Sequence, residues 1–182
     1  MQFTRLNTLK TVAGYLYSLL ERLLPVRLSR ASISGVYNYL PISEQITTSG
    51  QPTEAQLLAI RDAGYATVIN LAPANVENAL PDEAASLATI DLPYIHIPVN
   101  FKAPSEANFS RFIEAMQGME GQKVWVHCAA NMRVSAFMYR YRCEVLGEEP
   151  SIAQRSLNKI WEPIGVWRQF VDNVDNKIDP GS

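Results

Sequence analysis

Two cysteines in 182 residues are too few for a disulfide framework, so the fold must rest on buried apolar area. A working thiol would then suit a reducing compartment, and the cytoplasm is the expected location. Histidine is equally scarce, with two in the chain. No spacing of His, Cys or carboxylates reads as a metal site, and neither metal nor cofactor is expected. An excess charge of one sign is lacking as well: a formal net charge of −2 gives a polyanion nothing to hold, which argues against nucleic acid as a partner. Long apolar runs are absent too. Val12 to Leu24 is apolar on a helical period, but Glu21 and Arg22 interrupt it, and it falls short of the ~20 residues a bilayer helix needs. No repeat or linker divides the chain, and 47% hydrophobic composition suffices for one α/β core.

Against these absences one stretch stands out, from Val124 through Trp125, Val126, His127, Cys128, Ala129, Ala130, Asn131, Met132, Arg133, Val134, Ser135 and Ala136 to Phe137. Val124 to Val126 is β-branched and aromatic and reads as a buried strand. Val134 to Leu146 is apolar at helical spacing and reads as a helix. Cys128 therefore falls where a strand ends and a helix begins. Turn N–H groups and the positive end of the helix dipole converge there, and Arg133 adds a rigid fork of donors. Such a place holds an anion and favours thiolate over thiol. Taken alone, Cys128 is more simply a core residue; strand, loop and helix together make it a candidate nucleophile. Cys143 lies mid-helix without a cationic loop and reads as a small core residue.

His-Cys, a short loop, Arg and a hydroxyl residue resemble the signature of the cysteine-dependent protein tyrosine and dual-specificity phosphatases. Thr48-Ser49-Gly50-Gln51-Pro52, Val68-Ile69-Asn70-Leu71 and Ile95-His96-Ile97-Pro98-Val99 precede it in order. Together these are similar to a small bacterial phosphatase-like domain also found fused to β-lactamase-like hydrolases, over residues 36 to 175. The resemblance implies hydrolysis of a phosphorylated protein or small phosphomonoester through a phosphocysteine intermediate. Cys128 would be the nucleophile, Arg133 the oxyanion clamp and Ser135 the hydroxyl that helps the thiolate leave. His127 would support the loop, and Ala129, Ala130, Asn131 and Met132 would bind the substrate's phosphate.

Two departures bear on that chemistry. The phosphatases place five residues between Cys and Arg, whereas Ala129 to Met132 are four, as in rhodanese-type sulfurtransferases. Sulfur transfer through a Cys128 persulfide is therefore the rival enzymatic reading. Asn131 stands where Gly is common, and Asn tolerates left-handed backbone. The second departure is the general acid. In the segment Pro98 to Pro104, Asn100 occupies the position where an Asp is wanted, so it could orient substrate but not protonate a leaving group. Glu106 reads as the first turn of a helix, and Asp82 and Glu83 are equally ambiguous. Aryl phosphates, whose phenols leave without help, are the expected substrates. A catalytically weak anion-binding regulatory module is the third reading.

The rest of the chain reads as one scaffold. Helices are expected over Thr53 to Ala63, Pro81 to Ala88, Ser105 to Met116, Pro150 to Leu157 and Gly165 to Val174. Strands are expected over Val36 to Leu40, Gln45 to Thr48, Thr67 to Leu71 and Tyr94 to Val99. This alternation predicts an α/β class, a cysteine-phosphatase-like three-layer fold with a central, mostly parallel sheet flanked by helices, the active loop at the carboxyl end of the strand closing at His127. Trp161, Trp167 and Phe170 read as core, with a stacking surface for substrate as the alternative. His96 reads as structural. Residues 32–176 form the expected phosphatase-like domain, 177–182 a tail, and 1–31 an amphipathic helical extension. Residues 1 to 30 carry Arg5, Lys10, Arg22, Arg27 and Arg30 against Glu21 alone, about +4, leaving −6 for the remainder of the −2 total. No small-residue cleavage site follows the apolar stretch closely. A helix packed on the domain or on a partner is expected, with membrane-surface contact the alternative.

Overall fold

Short β-branched runs alternating with capped helices assemble into a five-stranded sheet in the order β1-β2-β5-β3-β4. The computed structural model describes residues 7–16 and 32–173. Residues 7–16 form helix α1. After a 3-10 turn at Ile33–Gly35 come β1 (Leu40–Pro41), β2 (Ile46–Ser49), α2 (Glu54–Asp62), β3 (Thr67–Asn70), α3 (Glu83–Ala88) and β4 (Tyr94–His96). Then follow α4 (Glu106–Gln117), β5 (Val124–His127), α5 (Met132–Glu144), α6 (Pro150–Ile160) and α7 (Val166–Asp172). β1 runs antiparallel to β2, and the other pairings are parallel. The mostly parallel sheet expected from the alternation is thus present, with β5 at its centre between β2 and β3.

Successive residues of a strand face opposite sides, and β5 uses this to serve two cores. Val124 and Val126 join Ile69 beneath α4, α5, α6 and α7. Trp125 joins Val68 on the other face, against Leu57 and Ile60 of α2 and Leu87 of α3. The same alternation puts His127 on the α3 side and hands Cys128 to the α5 side, where it is buried with the larger core.

The starts of α2, α3 and α4 fall one or two residues inside the expected ones because the residues in front of them act as caps. Thr53 and Gln56 close a reciprocal capping box, Asp82 accepts from the Ala85 N–H, and Ser105 accepts from the Asn108 N–H, each quenching an orphan donor of the first turn. Gly64, at φ 81°, follows the Ala63 cap that ends α2. Val36 to Leu40 is a correction. Only Leu40–Pro41 pairs as strand, because Tyr37 and Asn38 turn, with Asn38 at φ 49°, to meet the cysteine loop. Of the expected N-terminal helix, residues 7–16 are described; 17–31 and the tail 177–182 lie outside the described residues. No helix among the described residues is long and apolar enough to cross a membrane.

Candidate active site

Three apolar residues of β5, buried like the His127 that ends the strand, drive it into the centre of the sheet, and the chain then turns sharply into α5. The turn is made at Asn131, which precedes α5 in the left-handed region at φ 64°. The first α5 bond runs from the Ser135 N–H to the Asn131 carbonyl. The N–H groups of Met132, Arg133 and Val134 therefore have no acceptor within the helix and face the loop.

Side chains of Asn38, Thr48 and Asn78 and the backbone of Gln51 fix this loop. Asn131 Nδ2 donates to the Asn38 carbonyl at 2.9 Å and to Thr48 Oγ1 at 3.0 Å. Asn38 Nδ2 returns a bond to the Ala130 carbonyl at 3.0 Å. Asn78 Nδ2 reaches the Ala129 carbonyl at 2.9 Å, and the Gln51 N–H donates to the same oxygen. These bonds tie the Ala129 and Ala130 carbonyls to neighbouring segments, and the Cys128 N–H donates to the Ser49 carbonyl. Gly50 is the close approach that permits this. A Cβ there would lie 2.8 Å from Tyr37 Cδ1 and 3.0 Å from the Ala129 oxygen, so no larger residue fits without moving the loop.

Beneath the loop, His127 is fully buried and its Nε2 lies 3.0 Å from Glu83 Oε1. Glu83 also accepts from Gln51 Nε2 at 2.9 Å, from Asn70 Nδ2 at 2.6 Å and from the Tyr94 hydroxyl at 3.2 Å. Burial opposes ionisation of Glu83, but the His127 contact and the amide donors outweigh it and bring its carboxyl down to about 2. Burial, reinforced by the Glu83 charge, raises the Tyr94 phenol, which stays a donor. Tyr94 also receives Asn70 Nδ2 at 3.1 Å.

A cavity of about 160 Å³ opens over the loop, bounded by Cys128, Ala129, Ala130, Met132, Arg133 and Phe101, with Thr11, Val12 and Tyr15 of α1 opposite. The Arg133 guanidinium lies 5.1 Å from the centre of the Phe101 ring. Its Nε is buried without a hydrogen-bond partner among the described residues. Five of the expected residues, Cys128, Ala129, Ala130, Met132 and Arg133, thus meet in one cavity. Asn131 builds it from behind.

Two expected residues do not take their places there. Ser135 Oγ donates to the Met132 carbonyl at 3.0 Å and accepts from Trp161 Nε1 at 3.2 Å. Its single proton is thereby used on the helix and is not aimed at Cys128. Asn100 is exposed, and its side-chain oxygen accepts from the Lys102 N–H at 2.9 Å. It shapes the 100–103 turn, while Phe101 is the residue of that turn facing the cavity. The candidate acids are engaged elsewhere. Glu106 forms a bidentate pair with Arg140 at 2.6 and 2.9 Å, Asp82 caps α3, and no carboxyl among the described residues lines the cavity. His96 is structural, Nε2 lying 2.7 Å from the Ala72 carbonyl, and Cys143 is buried in the core. Among the described residues no group of His, Cys, Asp and Glu could hold a metal ion.

Helix α1 is a wall of the cavity that no local pattern in the sequence announces. The Tyr37 hydroxyl donates to the Thr11 carbonyl, Thr11 Oγ1 donates to the Ile160 carbonyl at 2.5 Å, and the Glu162 N–H donates to Thr8 Oγ1 at 2.8 Å. Gly14 rests on the Tyr37 ring, where a Cβ would come within 2.8 Å of Cε2.

Comparison with known proteins agrees with this geometry. The Beta-lactamase hydrolase-like protein of Xylella fastidiosa (strain Temecula1 / ATCC 700964) is 33% identical over 95 residues, half of this chain but 22% of that protein. The chain thus spans about a fifth of such relatives. A crystal structure of a DUF442 protein from Shewanella putrefaciens CN-32 superposes with TM-score 0.73 at 32% identity, covering 80% of this chain and 95% of that one. A variant of P. aeruginosa TpbA, solved in complex with pTyr, shares the fold at TM-score 0.57 and 16% identity, covering 82% and 99%. The family model described as DSP-PTPase phosphatase fused to NAD+ kinase matches residues 36–162. Those residues hold β1 through α6 and every loop support named above except α1, so the chain belongs to that DSP-PTPase phosphatase family.

Proposed function

We propose that Cys128 is the nucleophile of a phosphomonoester hydrolase working through a phosphocysteine intermediate. The observation that carries this is the delivery of Cys128, by the end of a central buried strand, into a cavity shared with Arg133 at the N-terminal end of α5. The sulfur attacks phosphorus while the bond to the leaving oxygen breaks, the departing oxygen keeping the electron pair. Arg133 and the loop amides hold the phosphoryl oxygens as charge builds. Water then attacks phosphorus, the thiolate leaves, and inorganic phosphate is released. With no carboxyl among the described residues of the cavity lining, the leaving oxygen departs largely unprotonated. This favours phenols, of pKa about 10, over alkyl alcohols. Phosphotyrosine or another aryl phosphate is the substrate class this supports, and the same site in the cytoplasm keeps its thiol reduced.

Sulfur transfer is the second reading, favoured by the four-residue loop and the small cavity. There Cys128 would take the outer sulfur of thiosulfate as sulfite leaves. Mass spectrometry of Cys128 after brief exposure to p-nitrophenyl phosphate or to thiosulfate separates the readings. A trapped phosphoryl adduct is expected; an added sulfur without one overturns the proposal, and neither adduct would leave an anion-binding module.

A further inference from the structure

The small cavity does not end at solvent. Val12, Phe101 and Met132 line it and also line a groove of about 840 Å³ that runs on between α1, the 101–102 turn and the segment 161–167. The volume lies in the upper range of small-molecule sites. Its lips are apolar side chains left in water: Leu9 is 66% exposed, Val12 46%, Phe101 37%, Ile164 73% and Val166 42%. Isolated exposed apolar residues need no explanation, but five along one groove mark a binding surface. The floor is Trp161 and Trp167, held in place by bonds from their indole N–H groups to Ser135 Oγ and to the Phe101 carbonyl at 2.7 Å.

The occupant is constrained at both ends. One end is an anion cradle with a cation in the Arg133 side chain, sized for little beyond a phosphoryl group and a ring. The other, among the described residues, is hydrocarbon and aromatic surface with Lys102 and Glu162 in its lining, a poor match for the polar backbone of a peptide strand. A ligand filling both must be amphiphilic, with one phosphate at its head and an apolar chain behind it.

We infer that the groove binds an aliphatic tail carried by the aryl phosphate substrate, so that the enzyme selects long-tailed aryl phosphates over bare ones. This rests on the reading of Cys128 as the nucleophile and adds the class of group that the leaving phenol carries.

The test uses the 182-residue chain and 4-alkylphenyl phosphates with tails of about one to ten carbons, below their aggregation limits. Matching phosphonates, which cannot be hydrolysed, give binding through Trp161 and Trp167 fluorescence. Affinity is expected to rise about 2- to 4-fold per methylene until the groove is full. Ile164→Asp, at a position exposed enough not to threaten folding, should flatten that slope while cooperative unfolding persists; Val166→Asp provides a second, independent flattening. Binding that does not depend on tail length, or a slope untouched in both variants, overturns the inference. Tail-dependent phosphonate binding without turnover of any aryl phosphate would uphold the groove and remove the phosphatase reading.

Discussion

Glu83 and His127, 44 positions apart in the chain, are in contact at 3.0 Å directly under the cysteine loop. The pairing follows from strand alternation: His127 shares the face of Trp125, α3 covers that face, and Glu83 opens α3. The contact ties the strand that delivers Cys128 to the helix layer behind it.

Replacing this carboxylate should therefore cost stability with a defined pH dependence. The folded pKa, about 2 against an ordinary 4.5, is depressed, so the contribution is fully present above about 4.5 and is lost as pH falls from there toward 2. At 1.36 kcal/mol per unit the difference is roughly 3 kcal/mol. Glu83→Gln should lower Tm at pH 7 by about 6–12 °C, and the gap to the parent should close on acidification. Thermal melts across pH 2 to 7 check this; a gap constant with pH would show that packing, not charge, is what the substitution removes.

The roles proposed for Cys128 and Arg133 lead to a second prediction. Cys128→Ser should abolish turnover, because an alcohol at that position is not the anion the chemistry uses. Arg133→Lys keeps the charge but loses the planar fork, and kcat/KM should fall about 10²- to 10³-fold. Cys143→Ser, away from the cavity in the core, should retain activity. Steady-state kinetics on p-nitrophenyl phosphate measure all three, and full turnover by the Cys128 variant would sink both enzymatic readings.

Much of this site was readable from the residues, and the reason is local. Cys128, Arg133 and the intervening turn are consecutive, and β-branched strand, left-handed Asn and apolar helix each announce themselves within a few residues. The helices that Thr53, Asp82 and Ser105 cap were legible for the same reason, to within one or two residues of their starts. What stayed hidden depends on which strands neighbour each other. Glu83 reads in the sequence as either a candidate acid or a helix start, and only the placement of β5 beside β3 brings Asn70 and His127 to its carboxylate. Val36 to Leu40 has strand composition, yet Asn38 is used for the loop, a tertiary demand that overrides propensity. Ser135 and Asn100 sit at the right distance along the chain but spend their polar atoms on local turns, a competition that spacing does not reveal.

Helix α1 leads to a prediction that splits KM from kcat. A chain beginning near Ser32 keeps Cys128, Arg133 and the loop supports Asn38, Asn78 and Gln51, so it should unfold cooperatively and still turn over phosphate esters. It loses the wall formed by Thr11, Val12 and Tyr15, so KM should rise several-fold with kcat little changed. Gly14→Val, which drives a side chain into the Tyr37 ring, should reproduce the KM effect in the full chain. Loss of cooperative unfolding on truncation would instead make α1 part of the folding unit.

The last prediction concerns the missing acid. If Asn100 stood at the acid position, Asn100→Asp would raise rates on poor leaving groups far more than on activated aryl phosphates, since a placed general acid is typically worth about 10²- to 10⁴-fold. The structure argues for a null result. Asn100 is exposed and its oxygen holds the Lys102 N–H at 2.9 Å, a bond that an Asp carboxylate would accept equally well. The new group should therefore stay on the turn rather than enter the cavity, where Phe101 already fills that side. Rates compared across a series of phenyl and alkyl phosphates should move by less than about 2-fold and without dependence on the leaving group, because no proton is brought closer to the breaking bond. A selective gain for alkyl esters would mean that the 100–103 turn swings its carboxylate over Cys128 when substrate binds.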